Sequence, residues 1–285
     1  MTGIVDPARE LGAFLRTRRE RLTPEEVGLP LRRRRRTPGL RREEVAELAG
    51  VSVDYVVRLE QGRGLRPSPN VLEALVTALR LTGDERTYLF DLAQQRAADR
   101  PYGNRGADPS LARLVRNLSP LPAMLVDYRF DILAWNPEMA ELMVDFAALP
   151  ERRRNVAWLC ILHSRLAGFY RDRERIVREA IADLRAAWAS HPEDAALGEL
   201  IAELTAGSEE FARLWEERDV RVNGRGVKRL QHADVGALSV QYEVLSPIQD
   251  PDQRLVIYRA ADAPSQVALD EIAHRAAASP MAAAV

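Results

Sequence analysis

Polar and arginine side chains cluster on one predicted helix, in a pattern suited to hydrogen bonding with the edges of DNA bases. Residues 53–61 place Val56 and Leu59 on one apolar face of that helix. The outward positions are Val53, Asp54, Tyr55, Val57, Arg58 and Gln61. Arginine can donate two parallel hydrogen bonds to guanine, so Arg58 is the strongest candidate for direct base recognition. Ser52 is a natural N-cap for this helix and is also predicted to lie at the DNA surface.

A second predicted helix, residues 41–49, must hold this one in place. Its inward side would consist of Val45, Leu48 and Ala49. Gly50 supplies the positive φ that a tight stop between the two helices requires. Two short helices joined in this way form a helix-turn-helix, whose second helix presents its outward residues to the major groove. Arg41 and Arg42, at the start of the earlier helix, are predicted to lie on or near phosphates.

Five consecutive arginines precede the helix-turn-helix, and they are Arg32, Arg33, Arg34, Arg35 and Arg36. Like charges at this density repel one another, so the run is predicted to be an exposed loop. Beside a helix that reads DNA, the run would contact phosphates or the adjacent minor groove. Such contacts release counterions, which adds affinity and salt dependence but little sequence specificity. A solubilising segment that does not touch DNA is the alternative.

Three further helices complete a small all-α domain. They cover residues 7–22, residues 69–79, and a segment that opens at the capping box from Thr82 to Glu85. The run from Leu40 to Gly62, LRREEVAELAGVSVDYVVRLEQG, resembles the Xre (Cro/C1-like) DNA-binding family. That family usually reads S-Q-E-E-L-A-x-L-A-G-V-S-x-x-x-I-S-R-I-E, so arginine at position 42 replaces a frequent glutamine. The resemblance implies a five-helix, lambda-repressor-like domain over residues 1–96.

The same resemblance implies one structural ion pair. In the Xre family an arginine of the first helix pairs with a glutamate near the end of the recognition helix. Arg19 and Glu60 match those two positions. These two residues are therefore expected to stabilise the domain and are kept apart from the residues predicted to contact DNA.

The composition indicates a globular protein, predicted to be cytoplasmic, with about two domains. The chain has 285 residues, of which 46% are hydrophobic and 29% charged, and domains average about 150 residues. No apolar run approaches the roughly 18 residues that can span a bilayer, and the N-terminus lacks the apolar core of a signal peptide. Cys160 is the only cysteine, so no internal disulfide can form. Net charge is −1, but arginines outnumber acids in residues 1–100.

A linker and a second domain follow. Pro, Gly, Asn and Asp concentrate over residues 97–109, where every periodic pattern stops. The second domain is predicted to cover residues 110–275, with residues 276–285 as a tail. Strands are predicted at 123–127, 131–135, 227–231, 238–245 and 255–259, and helices at 111–118, 137–146, 155–163, 169–190, 194–206 and 208–217. This order predicts a mainly α chain whose second domain is α+β and PAS-like, with a five-stranded antiparallel sheet under a helical cover.

Several segments of the second domain show a resemblance that is more specific than a shared fold class. In chain order they are LSPLPAMLVDYRFDILAWN, ERRRNVAWL, SEEFARLWEERDV, GVKRLQHADVGALSVQYEVL and QRLVIYRA. Together with the entry RRRRRTPGLRREEVA, they resemble the MmyB-like regulator family. The resemblance implies a transcription regulator whose PAS-related domain holds a small hydrophobic molecule, with a fatty acid as the leading candidate. The segment from Cys160 to His163 stands where the family more often reads F-L-D-P, and Ala233 replaces a proline.

A sensor pocket needs an apolar lining with a few polar groups that orient the ligand. The predicted ligand-binding residues are Trp135, Asn136, Met139, Trp158, Phe169, His232 and Tyr242. Among them, Asn136, His232 and Tyr242 could orient a carboxylate or carbonyl, and Arg129 or Arg154 could pair with it. Packing is the alternative role for each of these residues, and Asn136 could instead cap the helix after it.

Enzymatic patterns are weak in this sequence. Cys160 and His163 are too few for a structural zinc site, which takes four ligands. The sequence therefore predicts no catalytic residue, no metal, and no cofactor other than a bound fatty acid or similar hydrophobic molecule. The expected partners are double-stranded DNA, that small ligand and a second copy of the chain, with no membrane. Two alternatives remain: a regulator switched by a protein partner, and an enzyme tethered to DNA.

Overall fold

The computed structural model describes residues 6–30, 39–63, 66–94, 106–166, 168–222 and 224–278. Within these ranges the chain forms twelve α-helices and one five-stranded sheet, which confirms the predicted fold class. The chain divides into two compact units. Unit 1 contains residues 1–101, 185–199 and 213–221, and unit 2 contains residues 102–184, 200–212 and 222–285. None of the helices in the described ranges is long and apolar enough to cross a membrane.

Five helices near the N-terminus lie in unit 1. They are α1 (Pro7–Arg21), α2 (Arg42–Ala49), α3 (Val53–Glu60), α4 (Pro69–Ala78) and α5 (Gly83–Gln94). The predicted helix bounds agree with the observed ones to within one or two residues, because the capping residues that set each end are neighbours in sequence. At α5, for example, the Thr82 N–H donates to the Glu85 carboxylate at 2.8 Å, and the Glu85 N–H donates to the Thr82 hydroxyl at 3.3 Å. Phe14 and Tyr88 pack edge to face in the core, with ring centroids 5.0 Å apart.

Two glycines fix the geometry of the helix-turn-helix. Gly50 ends α2 in the left-handed region, with φ at 65°, and its N–H donates to the carbonyls of residues 46 and 47. Gly12 on α1 faces the end of α3, where a Cβ would lie 2.5 Å from the Leu59 carbonyl oxygen. Side chains do not tolerate such a distance, so any larger residue at position 12 must push α1 away from α3.

A buried polar cluster lies inside unit 1. Glu10 on α1 is 5% exposed and accepts a hydrogen bond from the Tyr88 hydroxyl at 3.0 Å. The same carboxylate pairs with Arg185, which is 1% exposed, and with Arg218, whose Nε lies 3.4 Å away. Segments far apart in sequence therefore meet at one carboxylate of α1. Local sequence patterns do not predict this cluster.

Unit 2 is organised around the sheet, whose strands are antiparallel in the order β2-β1-β5-β4-β3. The strands are β1 (Ala123–Asp127), β2 (Ile132–Trp135), β3 (Arg225–His232), β4 (Gly236–Leu245) and β5 (Gln253–Ala260). The core of the sheet lies in its central strands, where Leu125, Val240 and Tyr258 are fully buried. All five strands correspond to predicted segments, and their ends lie within about two residues of the predicted ones.

Seven more helices follow α5 along the chain. They are α6 (Pro109–Asn117), α7 (Pro137–Leu142), α8 (Val156–Leu162), α9 (Arg173–Ser190), α10 (Ala195–Gly207), α11 (Glu209–Glu216) and α12 (Ala263–Ala278). The structure differs from prediction at three of them. Helix α7 ends at Leu142 rather than continuing to Phe146, and the Asp145 carboxylate accepts hydrogen bonds from the N–H groups of residues 147 and 148 in the turn that follows. Helix α9 begins at residue 173 rather than 169, because Tyr170 instead forms a bridge with Leu230 at the edge of β3. Helix α12 has no predicted counterpart, since its many alanines leave no distinct apolar stripe.

Candidate DNA interface and ligand cavity

Helix α3 exposes Val53, Asp54 and Arg58 among the residues that the sequence predicts to face DNA, whereas Tyr55 is half-buried. The Ser52 hydroxyl accepts a hydrogen bond from the Tyr55 N–H at 3.1 Å and so caps the helix. Val56 and Leu59 are buried, whereas Asp54 and Arg58 are exposed. Val53 is 41% exposed, which is high for an apolar residue. We call Val53, Asp54 and Arg58 the reading face.

Arg58 is available for an external partner. Across the described ranges no hydrogen bond or ion pair involves its side chain, although many other arginines of the chain are paired. Its guanidinium carries five N–H donors in a planar fork that matches the acceptors of guanine. An exposed arginine with free donors on a helix suited to the major groove is an arrangement that can read a base.

Glu60 anchors the C-terminal end of α3. Its carboxylate accepts hydrogen bonds from Arg19 Nε at 2.6 Å and Nη2 at 3.2 Å, which confirms the ion pair that the family resemblance implies. Arg42 Nε donates to the same carboxylate at 2.8 Å. The Arg42 side chain is still 43% exposed, but in this structure it braces α3. Its place among the DNA contacts stays a prediction.

The remaining residues predicted to contact DNA precede α2. Arg41 occupies the N-cap position, where its backbone N–H donates to the Glu44 carboxylate at 2.7 Å. The five arginines from residue 32 to residue 36 lie outside the described residues. Their predicted contacts with phosphate therefore stay predictions.

A cavity of about 80 Å³, partly open to solvent, lies in unit 2 between the sheet and helices α8 and α9, and we call it the inner cavity. Most of its lining is apolar, and it comprises Met124, Val126, Phe130, Val156, Ala157, Cys160, Ile176, Ala180, Val244 and Val256. The polar lining residues are Glu179, Asp183, Lys228, Tyr242 and Arg254. Of the residues predicted to bind ligand, the structure places Tyr242 at this cavity.

Among the charged residues that line the cavity is Lys228, which is not among the predicted ligand residues. Its ammonium donates a hydrogen bond to the Tyr258 hydroxyl at 3.1 Å. It also lies 4.8, 5.4 and 5.7 Å from the ring centroids of Tyr242, Tyr258 and Tyr170. The electron-rich faces of these rings stabilise the cation. One sequence signal could have indicated this residue, because Lys228 is the only lysine in a chain rich in arginine.

The neutral groups around Lys228 hold their protons firmly. Burial raises the pKa of the Cys160 thiol and of the Tyr242 hydroxyl, and it raises the pKa of Tyr170 well above its ordinary value. Each of these groups remains neutral at physiological pH because the charged form loses hydration inside the protein. They can therefore donate hydrogen bonds to an acceptor but cannot neutralise the ammonium.

Phe169 and His232 line a different region of unit 2, an outer cleft of about 730 Å³. His232 Nδ1 accepts hydrogen bonds from the N–H groups of residues 234 and 235, at 3.2 and 3.3 Å, and Nε2 lies 3.1 Å from the Glu141 carbonyl oxygen. Arg275 pairs with Glu141 and Asp234 at the same cleft, each at 2.8 Å. The charged rim suits a hydrophobic ligand less well than the inner cavity does.

The other residues predicted to bind ligand line neither cavity. Asn136 is fully buried, and its side-chain oxygen accepts hydrogen bonds from the N–H groups of Ala123 at 2.9 Å and Met139 at 3.1 Å. Met139 itself is fully buried. Trp135 packs edge to face on a phenylalanine ring, with centroids 5.4 Å apart, and Trp158 Nε1 donates to a glutamate at 3.1 Å. Each of these interactions stabilises the domain.

Together, an exposed helix-turn-helix and a sheet with an apolar cavity define a DNA-binding protein with a second domain suited to enclosing a small molecule. Comparison with the profiles of known protein families supports this description of the two parts of the chain. The profile of a helix-turn-helix domain matches residues 10–89, and the profile of the MmyB-like transcription regulator ligand binding domain matches residues 107–271. The second match covers more than half of the chain, so the protein belongs to the MmyB-like transcription regulator family. No curated protein sequence matches the chain.

Proposed function

We propose that the protein is a sequence-specific transcription regulator whose DNA binding changes when a small hydrophobic molecule, such as a fatty acid, occupies the inner cavity. The observation that carries this proposal is the apolar cavity between the sheet, α8 and α9, in a chain that also exposes Arg58 on a recognition helix. Ligand sites are typically concave and apolar, with a few polar groups that fix orientation. The inner cavity has this composition.

The size of the cavity narrows the choice of ligand. Pockets for small molecules usually measure about 300–1,000 Å³, whereas the inner cavity measures about 80 Å³. A long acyl chain would have to displace side chains of the helical cover, and close-packed interiors resist such displacement. The volume therefore favours an acid with a short chain.

We further propose that the regulator acts in the cytoplasm as a homodimer and without catalysis. Helix-turn-helix dimers read two half-sites about 34 Å apart, or a multiple of that distance. Both matched families are regulatory, which supports a role without catalysis. A ligand that alters the separation of the two reading faces would then alter affinity for the operator.

Three measurements test the proposed function. Selection from random DNA with the full-length protein should enrich one sequence with two related half-sites, and sedimentation should show two chains on it. Mass spectrometry of the purified protein, native and then denatured, should release an acyl compound that shifts DNA affinity when it is added back. Uniform affinity for all DNA, or an affinity unchanged by every co-purified molecule, would contradict the proposal.

A further inference from the structure

We propose that Lys228 forms the binding site for an anionic head group in the inner cavity, and that the ligand is a short-chain carboxylic acid held by this lysine. The inference rests on the proposed function, because it assigns the head-group partner of the molecule that the cavity would hold. It also predicts a selectivity: the acid should bind, and a neutral molecule of the same length should bind much less.

The first support is the incomplete bonding of the Lys228 ammonium. An ammonium carries three N–H donors, and one of them donates to the Tyr258 hydroxyl. Within the part of the chain that the structure describes, no carboxylate lies within 4 Å of it. Lys228 is partly exposed, and a cation that has lost part of its hydration is stabilised by an opposite charge and by hydrogen-bond acceptors. A carboxylate in the adjoining cavity would supply both the opposite charge and the missing acceptors.

The second support is the pairing of the other charged groups that line the cavity. Glu179 forms an ion pair with Arg175 at 2.6 Å. Arg254 lies 3.8 Å from the Asp183 carboxylate. Because these groups already have partners of opposite charge, the charge that remains for a ligand is that of Lys228. The cavity is therefore suited to a ligand whose anionic group lies at Lys228 and whose apolar part contacts the remaining lining.

The third support is the aromatic cage around the ammonium. Three tyrosine rings surround Lys228, which limits its motion and fixes where the cation sits. Tyr242 also lines the cavity, so its hydroxyl is placed to donate a further hydrogen bond to the same head group. A carboxylate has room for several donors on its two oxygens.

Residue choice is the fourth support. The chain has 41 lysine and arginine residues in total, and Lys228 is the only lysine among them. A lysine ammonium is compact, whereas an arginine guanidinium is a broad planar fork. In a cavity of about 80 Å³, a guanidinium would occupy the space that a ligand needs. The single departure from arginine therefore falls where a small cation leaves room for a head group.

The uniqueness of Lys228 provides a direct test. Protein grown with lysine labelled at the side-chain nitrogen with ¹⁵N should give one Nζ resonance from the full-length chain. Butanoate is the probe, and butan-1-ol is its neutral match. We expect butanoate to shift the Nζ resonance saturably and butan-1-ol to leave it in place.

Variants test the same interaction by affinity. Lys228→Met should weaken butanoate binding by at least about tenfold, or about 1.4 kcal/mol, because the variant removes both the charge and the hydrogen-bond donors of the ammonium. The matched control is Arg259→Gln, which removes one positive charge from an exposed position on β5 outside the cavity. Titration calorimetry measures both, and circular dichroism checks that each variant is folded.

The outcomes separate this inference from the proposed function. Equal affinity for butanoate and butan-1-ol, or butanoate binding that Lys228→Met leaves unchanged, overturns the role of Lys228 but keeps the hydrophobic cavity. Binding of neither probe overturns both the role of Lys228 and the proposed ligand cavity. If Lys228→Met fails to fold, the spectrum of the wild-type protein is the test, because an Nζ resonance that does not move at saturating butanoate overturns the assignment.

Discussion

Arg58 is the residue on which sequence recognition is expected to depend. Arg58→Ala should weaken binding to the preferred DNA sequence by about 1–3 kcal/mol and relax specificity at one base pair, because alanine cannot form the two hydrogen bonds to guanine. Fluorescence anisotropy on a set of single-base operator variants measures both effects. The control is Arg16→Ala, which removes an exposed arginine of α1 that pairs with Glu20. Equal weakening on every sequence would instead indicate that Arg58 binds phosphate.

Asp127 gives a prediction about pH. Burial, together with the neighbouring carboxylate of Asp131, raises the pKa of Asp127 to about 6 from 3.8. The folded state thus holds a proton that the unfolded state has already released, so stability from this group is present below about pH 4 and disappears as the pH rises through about 6. Hydrogen exchange of the β1–β2 hairpin should show protection falling over that interval.

Asp127→Asn should flatten this pH dependence, because an amide does not titrate. Its oxygen can still accept from the N–H groups of Arg129 and Asp131, which both donate to the aspartate at 2.9 Å. Asp270→Asn at an exposed position of α12 is the control and should leave the dependence in place. An unchanged profile in Asp127→Asn would assign the titration to another group.

Individual side chains were predictable only where their role is local. Ser52 caps α3 and Asn136 caps α7 as their positions before the helices indicate, and neither role needs knowledge of the tertiary fold. Lys228 could not be placed in the cavity in the same way. Its neighbours Tyr170, Tyr242 and Tyr258 come from distant segments, and only pairing of the strands brings them together.

Among the elements, α1 depends on partners that lie far away in sequence. Glu10→Gln should lower the free energy of unfolding of unit 1 by about 3–5 kcal/mol, because it leaves the buried guanidinium of Arg185 without a counter-charge. Chemical denaturation of the full-length chain measures the change. The double variant Glu10→Leu with Arg185→Leu should recover part of this stability, since a buried pair can be replaced by apolar residues. No recovery would indicate that Arg218 is the more important partner.

The ends of helices and strands could be predicted from the sequence wherever capping residues or turn residues lie next to them. Proline at the first turn and a capping side chain open α4, and Gly50 closes α2. Elements without such marks were less predictable. The alanine-rich α12 has no polar face distinct enough to show its period, and residues 169–171 lie along β3 because of a long-range pairing.

At the scale of the whole molecule, charge should control affinity for DNA. Replacing all five arginines of residues 32–36 by glutamine should make log K fall less steeply with log salt, by about 0.9 for each phosphate that the protein no longer neutralises. Binding titrations at several salt concentrations, on specific and random DNA, measure the slope. Arg58→Ala serves as a comparison that should alter sequence preference more than slope. An unchanged slope would show that the run does not bind phosphate.

Neither of the two compact units is one continuous segment of the chain. Residues 185–199 and 213–221 belong with unit 1, although both lie far along the chain from residues 1–101. Composition predicts a linker near residues 97–109, and part of that segment lies outside the described residues. The pattern of turn residues marks where a chain can change direction. That pattern does not indicate which later segments belong to the same compact unit as the N-terminal helices.

The closeness of α1 and α3 at Gly12 bears on how this chain can vary. A Cβ at position 12 would meet the Leu59 carbonyl oxygen at 2.5 Å, and backbone atoms cannot rotate aside as a flexible side chain can. A library randomised at this position and selected for operator binding should therefore return glycine almost alone. A requirement for glycine at this one buried position is then a marker of the close α1–α3 packing. The same requirement could identify other chains that share this packing even where the rest of their sequences are no longer similar.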